Sequence, residues 1–187
     1  MTISQVVRII LFIVLTAGLV YVSWAALKQP RAHGFWRFFA WEGILGLFLL
    51  NVERWFVDPF SPRQLVSWFC LIVSGFLVLH AVYILRRYGR PVEQRGDEAL
   101  IAFEKTSQLV TRGAFRTIRH PMYSSLLFLA WGIFCKDVGW IAGLLAVVTT
   151  GLLVATARAD EAECVRFFGE AYTEYKRHTR MFIPYIF

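Results

Sequence analysis

The chain has little cysteine and little charge. Its three cysteines, Cys70, Cys135 and Cys164, stand far apart, without Cys-x-x-Cys spacing or neighbouring histidines. This spacing argues against a disulfide framework and against a zinc site, so we predict no metal ligands. Only 18% of the 187 residues are charged, whereas 57% are hydrophobic. That balance excludes the usual composition of a soluble domain and indicates an integral membrane protein.

Long apolar runs provide the spans that this composition requires. A span needs about 20 mostly apolar residues, and five runs are candidates: 9–27, 35–50, 65–85, 122–135 and 138–157. A retained first helix is favoured over a signal peptide, because the first run is long and no small-residue cleavage site closes it. The fourth run is short and a tight turn joins it to the fifth, so the two predict a helical hairpin. The predicted fold class is therefore all-α, a polytopic membrane protein of about five transmembrane helices with a C-terminal amphipathic cytoplasmic helix.

The positive charge is unevenly distributed along the chain. The net charge is +7, and of the 20 Lys and Arg residues eight lie in 86–119 and five in 158–180. The positive-inside rule places both segments on the cytoplasmic side of an inner or plasma membrane, which puts the N-terminus outside if there are five spans. Anionic headgroups explain this charge more simply than nucleic acid does, so membrane lipids are the expected partners and nucleic acid is not.

The whole chain, 1–187, is predicted to form a single domain. Residues 1–85 contribute three transmembrane helices. Residues 86–187 form a second half with a soluble stretch, the helical hairpin and an amphipathic helix over 159–178. Within the soluble stretch, residues 98–110 have the pattern of a short amphipathic element.

The tripeptide Arg119-His120-Pro121 lies where the soluble stretch re-enters the membrane. One interpretation is an ordinary membrane entry, with Arg and His at the lipid interface and Pro in the first helical turn. The other is an anion site, because a helix N-terminus beside Arg and His binds a carboxylate well. The neighbouring residues favour the anion site: Arg112, Gly113, Phe115, Arg116 and Tyr123.

Two carboxylates, Asp160 and Glu161, open the C-terminal helix. Glu161 heads a stripe at helical spacing whose other members are apolar or aromatic: Val165, Phe168, Tyr172 and Tyr175. Glu161 is therefore expected on the buried face, where a carboxylate is costly unless a cation meets it. Favourable charge at a helix N-terminus, or an ion pair with Arg158 or Arg119, is the alternative role. Together the motifs predict a pocket with a cationic rim, a carboxylate and aromatic walls, which suits S-adenosylmethionine among other ligands.

The spaced motifs resemble a known superfamily. They are Gly113-Ala-Phe-Arg-Thr-Ile-Arg-His-Pro-Met-Tyr123, then Asp160-Glu161, Phe168-Gly169-x-x-Tyr172-x-x-Tyr175 and Arg180-x-x-x-Pro184. This order resembles the isoprenylcysteine carboxyl methyltransferase and phospholipid methyltransferase superfamily, over roughly the C-terminal half. The resemblance implies an integral-membrane enzyme that uses S-adenosylmethionine. It implies cofactor-binding roles for Arg119, His120, Pro121, Tyr123, Glu161, Gly113 and Tyr172, and catalytic roles for Arg119, Glu161 and Arg180.

The resemblance also bears on the methyl acceptor, which is expected to be lipophilic and to enter laterally between helices. Asp160 stands where the family usually has Glu, so Glu161 is expected to carry the larger role. The Gly-x-Gly element of phospholipid N-methyltransferases is not evident, which favours the carboxylate of a prenylated cysteine or related isoprenoid over a phospholipid amine. A carboxylate needs no base, and Arg119 or Arg180 would orient it. An amine needs one, and His120, Glu161 or Tyr123 could serve.

Two other classes of function are weighed against methyl transfer. A nicotinamide-dependent membrane reductase can share a similar C-terminal layout, but the chain has no glycine-rich phosphate loop. A transporter or scaffold would line several spans with polar residues, whereas Glu42 and His80 are the main exceptions in the apolar runs here. Glu42 is either functional or paired with Arg37 or another helix. His80 is expected at the interface or hydrogen-bonded within the bundle.

Overall fold

The architecture is all-helical in a computed structural model that describes residues 3–89 and 106–185. Within these ranges the helices are α1 (Ile3–Leu27), α2 (His33–Asn51), α3 (Pro62–Tyr88), α4 (Pro121–Phe134), α5 (Trp140–Phe168) and α6 (Glu170–His178). Four helices, α1, α2, α3 and α5, are long and apolar enough to cross a membrane, and α4 is a shorter apolar helix of 14 residues. The predicted all-α polytopic membrane fold is confirmed. Of the predicted amphipathic element 98–110, residues 98–105 lie outside the described ranges, and residues 106–110 are not helical.

Small residues let the helices approach closely. The main packing pairs are α3 with α4 and α2 with α5, while α1 packs along α2. Gly43 of α2 faces Thr149 of α5, at a distance that leaves no room for a Cβ atom. Gly132 of α4 similarly lies against Cys70 and Leu71 of α3. Such small-residue contacts are the usual way in which membrane helices associate, because lipid tails provide no hydrophobic drive between them.

Ion pairs between loops mark one end of the bundle. Arg8, near the start of α1, contacts Glu53 at 3.2 Å, between Arg8 NH2 and Glu53 Oε1. Asp137, in the turn between α4 and α5, forms an ion pair with Arg54 at 3.4 Å and accepts a hydrogen bond from Arg63 Nη1 at 3.3 Å. The start of α1, the α2–α3 loop and the α4–α5 turn therefore meet at the same end. This is the alternation of loops that the charge distribution predicts.

The last transmembrane helix is longer than the sequence predicted. Instead of ending at 157, before a separate helix over 159–178, α5 continues unbroken to Phe168. Gly169, with a φ of 61°, then separates α5 from α6. Hydropathy reports where the membrane ends, but the charged residues after 157 are good helix formers, and only the glycine in a left-handed conformation stops the helix. Asp160 and Glu161 consequently lie in the last turns of a rigid helix.

The break at Gly169 also changes the predicted stripe. Glu161 and Tyr172 are buried, as that stripe predicts, but Val165 is exposed. The two buried residues belong to different helices, α5 and α6, so their proximity depends on the turn at Gly169 and not on one helical periodicity.

Candidate functional site

Backbone pairing joins the two motif-bearing segments. Ile118 and Arg180 form a parallel bridge, in which Arg119 N donates to Arg180 O at 2.7 Å and Arg180 N donates to Thr117 O at 3.0 Å. His120 N continues the pairing by donating to Met181 O at 3.1 Å. The chain before α4 is thereby fixed to the chain after α6. Because His120 directly precedes Pro121, the first residue of α4, its ring is held at a helix N-terminus.

Glu161 lies at the centre of a buried cluster of charges. Its Oε1 accepts from Arg119 Nε at 2.6 Å, and its Oε2 contacts Lys176 Nζ at 2.6 Å. Arg119 also donates through NH1 to the backbone oxygens of Thr179 and Lys176. Both oxygens of Glu161 therefore meet cations, and the cluster ties α5 and α6 to the segment that enters α4.

His120 lies between the two carboxylates of α5. Its Nδ1 is 3.4 Å from Asp160 Oδ2, and its Nε2 is 3.4 Å from Glu161 Oε1. Burial alone would lower the pKa of His120, but the hydrogen bonds and negative charges of Asp160 and Glu161 outweigh it, so this pKa is raised. The ring also stacks on Tyr123, with ring centroids 5.3 Å apart. The two carboxylates thus favour the protonated form of His120, which lies against an aromatic face.

A cavity opens beside this cluster, at the end of the bundle opposite the loop ion pairs. Its polar wall consists of Arg119, His120, Asp160 and His33, with Thr106 and Cys164. Its aromatic and apolar walls come from α3, the chain before α4, α4, α5 and α6: Leu85, Leu109, Val110, Phe115, Pro121, Met122, Tyr123, Phe168, Tyr172 and Tyr175. Burial raises the pKa of the Tyr172 and Tyr175 phenols, which therefore stay neutral. The Tyr175 hydroxyl donates to Phe115 O at 2.6 Å and so closes one wall.

The structure places the residues predicted from the motifs in the cavity wall, in the charge cluster and in the neighbouring loops. Arg119, His120, Pro121, Tyr123 and Tyr172 line the cavity. Glu161 is buried in the charge cluster and is not among the residues that line this cavity.

The other two predicted residues lie elsewhere. Gly113 has a φ of 59° and packs its backbone on His80 of α3, whose Nε2 accepts from Ala114 N at 3.2 Å. His80 is thus hydrogen-bonded within the bundle, as expected. The side chain of Arg180 is exposed, and only its backbone takes part in the bridge. The roles assigned to these residues remain predictions.

The structure adds a histidine that the motifs do not identify. His33, the first residue of α2, is 1% exposed and lines the cavity. Its Nδ1 lies 2.7 Å from Glu163 Oε2, and its backbone N donates to Glu163 Oε1 at 2.8 Å. The predicted topology places residue 33 and the C-terminal end of α5 on the same side of the membrane. The pairing itself spans 130 positions, and no periodicity or motif spacing reports it.

His33 and Glu163, together with the neighbouring Asp160, have the ligand types of a metal centre. His33, Asp160 and Glu163 each have one ligand atom within 4.8 Å of the others. Both oxygens of Glu163 are already engaged by His33, however, and Asp160 faces His120. These hydrogen bonds account for the buried polar groups without an ion, so we describe His33 and Glu163 as a hydrogen-bonded pair.

The charges around the cavity suit a zwitterionic and cationic ligand. Asp160 and the aromatic faces stabilise positive charge, while Arg119 and His120 attract a carboxylate. The motifs predict a larger role for Glu161 than for Asp160, and the structure puts the two acids in different surroundings. Asp160 lines the cavity, whereas Glu161 organises the residues behind it.

Comparison with known proteins identifies methyltransferases among the relatives. Methanethiol S-methyltransferase of Pseudomonas deceptionensis is 26% identical over 171 residues, which are 91% of this chain and 57% of that protein. Protein-S-isoprenylcysteine O-methyltransferase B of Arabidopsis thaliana is 31% identical over 88 residues, 44% of this chain and 43% of that protein. The chain thus spans about half the length of these curated relatives. These homologues confirm the resemblance to the membrane methyltransferase superfamily that includes isoprenylcysteine carboxyl methyltransferases.

A third relative carries a different activity in its name. Delta(14)-sterol reductase of Mus musculus is 32% identical over 83 residues, 43% of this chain and 20% of that protein. No family model matches the chain. No solved structure matches it either.

Proposed function

We propose that the chain transfers a methyl group from S-adenosylmethionine to an apolar acceptor at the cytoplasmic surface of the membrane. The observation that carries this proposal is the cavity in which Asp160 and five aromatic side chains meet Arg119 and His120. S-adenosylmethionine has a zwitterionic amino-acid end, a cationic sulfur and a flat adenine. Each of these parts has a partner type in the cavity wall.

The residues present suit this cofactor in particular ways. Arg119 and His120 attract its carboxylate, and Asp160 offers a negative charge to its ammonium or sulfonium group. Tyr123, Tyr172 and their aromatic neighbours provide faces for the sulfonium and the adenine. When bound, the cofactor supplies an activated methyl group. The chain's own residues align it with the acceptor and exclude water, which is most of what an in-line displacement requires.

An apolar cleft supports a route for the acceptor from the bilayer. It lies between α4 and α5 and is lined by Leu127, Phe128, Trp131, Thr150 and Val154, with Cys70, Ser124, Phe182 and Ile183. The Ser124 hydroxyl donates to the backbone oxygens of His120 and Phe182, at 2.9 and 2.8 Å. Ser124, which lines the cleft, is therefore hydrogen-bonded directly to His120, which lines the cavity. A hydrophobic acceptor can lie in this cleft with its reactive end toward the cofactor.

Two acceptor chemistries have support. The motif resemblance favours a carboxylate, such as that of a prenylated cysteine, with a phospholipid amine as the alternative. The relative that covers 91% of the chain is named for methylation of a thiol, which makes a thiol a second candidate. Both fit the cleft if they carry an apolar group.

The proposal predicts methyl transfer and not nicotinamide chemistry. The test supplies tritiated S-adenosylmethionine to the purified chain in nanodiscs, with an alkyl thiol, a prenylcysteine, an isoprenoid acid and a phospholipid amine as acceptors. Label in at least one acceptor is expected, together with thermal stabilisation by S-adenosylmethionine and none by NADPH. Stabilisation by NADPH with oxidation in the presence of a sterol would instead support the activity named in the reductase relative.

Asp160→Asn is the variant that probes the cavity. It removes the negative charge that lines the cavity while keeping the side-chain size, so the affinity for S-adenosylmethionine should fall about 10-fold, which corresponds to about 1.4 kcal/mol. Glu174→Gln is the matched control, because Glu174 is an exposed carboxylate on α6 that pairs with Arg177 and His178. Equal affinities in Asp160→Asn and the wild type would contradict the assignment of this cavity.

A further inference from the structure

His33 and Glu163 form a buried pair whose role lies outside the cofactor motifs. His33 is 1% exposed and lines the cavity, with a ligand atom of Asp160 within 4.8 Å of its ring. Glu163, also buried, contacts it twice, through Nδ1 at 2.7 Å and through the backbone N of His33 at 2.8 Å. The carboxylate therefore fixes both the position of the residue and the orientation of its ring.

The pairing determines which ring nitrogen is basic. An ionised carboxylate only accepts hydrogen bonds, so Nδ1 must donate to Glu163 Oε2. In the neutral ring the lone pair then resides on Nε2. A buried carboxylate that orients an imidazole and stabilises its protonated form is the usual support for a general base. The pair has that geometry, on the wall of the cavity assigned to the methyl donor.

We propose that His33, held by Glu163, accepts the proton of the methyl acceptor, and that the acceptor is accordingly a thiol. This inference rests on the proposed function. As the acceptor sulfur forms its bond to the methyl carbon, the bond from that carbon to the sulfonium breaks, and its electron pair stays on the departing thioether. The acceptor S–H proton passes to His33 Nε2, and the resulting imidazolium is stabilised by Glu163. The proton later leaves to solvent.

The match of proton affinities favours a thiol over the other acceptors. A carboxylic acid is already ionised at neutral pH, so a carboxylate acceptor needs no base. A thiol loses its proton near pH 8.5, about two units above an ordinary histidine, so transfer to an imidazole is moderately uphill. An alkylammonium group loses its proton about two units higher still. A buried His–Glu pair is therefore suited to a thiol and superfluous for a carboxylic acid.

The charges around His33 come from two helices. Glu163 and Asp160 face it from α5, and Arg37 acts on it from its own helix α2. Asp160 is in turn paired with His120, which separates the two histidines into two carboxylate-bound units. In this arrangement His120 belongs to the cofactor wall, and His33 remains for the acceptor.

The test uses two variants of the pair and two matched controls. His33→Gln removes the base, and Glu163→Gln keeps a hydrogen-bond acceptor for the His33 backbone while removing the charge. The controls are His178→Gln and Glu174→Gln, because His178 and Glu174 form an exposed His–Glu pair on α6, in which Nε2 and Oε1 are 2.8 Å apart. All proteins are the full chain in nanodiscs. The acceptors are an alkyl thiol and a carboxylic acid of the same chain length.

Two results are expected together. At neutral pH the thiol methylation rate falls about 100-fold in His33→Gln, and the difference from the wild-type rate narrows as the pH rises and the thiol ionises on its own. Calorimetric affinity for S-adenosylmethionine stays within about 2-fold of wild type in both variants, because the base is not a cofactor contact. The controls behave as the wild type.

Other outcomes overturn the inference. Wild-type rates and pH profiles in both pair variants would show that no proton passes through His33. A loss of cofactor affinity proportional to the loss of rate would make the pair part of the cofactor site. Inhibition by a chelator, with recovery on adding a divalent metal, would make it a metal site. Methyl transfer to the acid alone would refute the thiol acceptor and leave the proposed function standing. A wild type that neither binds S-adenosylmethionine nor transfers methyl would refute the proposed function itself.

Discussion

At the scale of single residues, adjacent acids in α5 have different surroundings. Asp160 lines the cavity and contacts His120, while Glu161 is enclosed by Arg119, Lys176 and His120. A buried ion cluster contributes little net stability compared with apolar packing, but removing one member leaves the others uncompensated. The two acids should therefore respond differently to substitution, one mainly in ligand affinity and the other mainly in stability.

Glu161→Gln should destabilise the fold strongly. It leaves the buried Arg119 guanidinium without its carboxylate, which costs about 3 kcal/mol or more. Lys176→Met is the matched control, because Lys176 is about one-third exposed and its loss should cost less than about 1 kcal/mol. Denaturant unfolding in mixed micelles measures both. Equal unfolding free energies for the two variants would show that the cluster does not hold α6 to α5.

His120 should make stability depend on pH. Its pKa in the folded state is raised, so the stabilisation that it provides is complete below its ordinary value of about 6.5 and is lost as the pH rises through the raised value. His120→Gln should flatten this decline, because glutamine does not titrate. Melting temperatures across this pH range test it, with His178→Gln as the exposed control. The same decline in His120→Gln and wild type would assign it to another group.

At the scale of elements, turns with left-handed residues decide how the site is assembled. Gly113 and Gly169 both have φ near 60°. Gly113 sets the loop before α4 against α3, and Gly169 ends α5 and turns the chain into α6. Without these two turns, Arg119 and Tyr172 would not reach the same cavity. Residues distant from the ligand therefore control the geometry of the cavity walls.

Gly113→Ala should destabilise the fold, whereas Gly151→Ala should not. At Gly113 alanine would take a positive φ, which costs about 1 kcal/mol, and its Cβ would collide with the His80 ring. Gly151 lies within α5, and nothing lies within 4 Å of a Cβ added there. The difference in unfolding free energy should exceed about 1 kcal/mol. Similar losses in the two variants would mean that the loop before α4 does not pack on His80 as described.

The sequence predicts some of these elements better than others. Apolar runs locate α1 to α5, because a long apolar run rarely forms anything other than a helix in the membrane. The motif spacing brings Arg119, His120, Pro121, Tyr123 and Tyr172 to one cavity. The end of α5 is not predictable from hydropathy, because charged helix formers continue the helix past the membrane.

The sequence does not predict the pairing of His33 with Glu163, and the reason is different. His33 and Glu163 meet because α2 and α5 pack together, and that packing depends on small residues such as Gly43. Nothing in the local sequence around either residue reports the other. Glu42, in contrast, accepts a hydrogen bond from Thr16 of α1 at 2.8 Å, which agrees with the predicted alternative that it pairs with another helix.

At the scale of the whole molecule, the two ends of the bundle carry different charged groups. The site, with Arg119, Lys176 and the other basic residues of 158–180, lies at one end, and the loop ion pairs lie at the other. The positive-inside rule predicts that the site end is cytoplasmic. An acceptor from the inner leaflet and a cofactor from the cytosol could then meet at one surface.

Cysteine labelling tests this orientation. In a chain whose three cysteines are replaced by alanine, Phe60→Cys lies in the exposed α2–α3 loop and Glu174→Cys on the exposed face of α6. An impermeant maleimide added to intact cells should label only Phe60→Cys, and permeabilisation should make Glu174→Cys reactive. Labelling of Glu174→Cys in intact cells would reverse the orientation and place the site outside.

Binding of S-adenosylmethionine in the cavity beside Arg119, His120 and Asp160 can be measured by isothermal titration calorimetry of the purified chain in nanodiscs. We expect saturable binding with one site per chain, weakened about 10-fold by Asp160→Asn and unchanged by Glu174→Gln. The absence of saturable binding to the wild type, or equal affinity in all three proteins, would contradict the assignment of this cavity to S-adenosylmethionine.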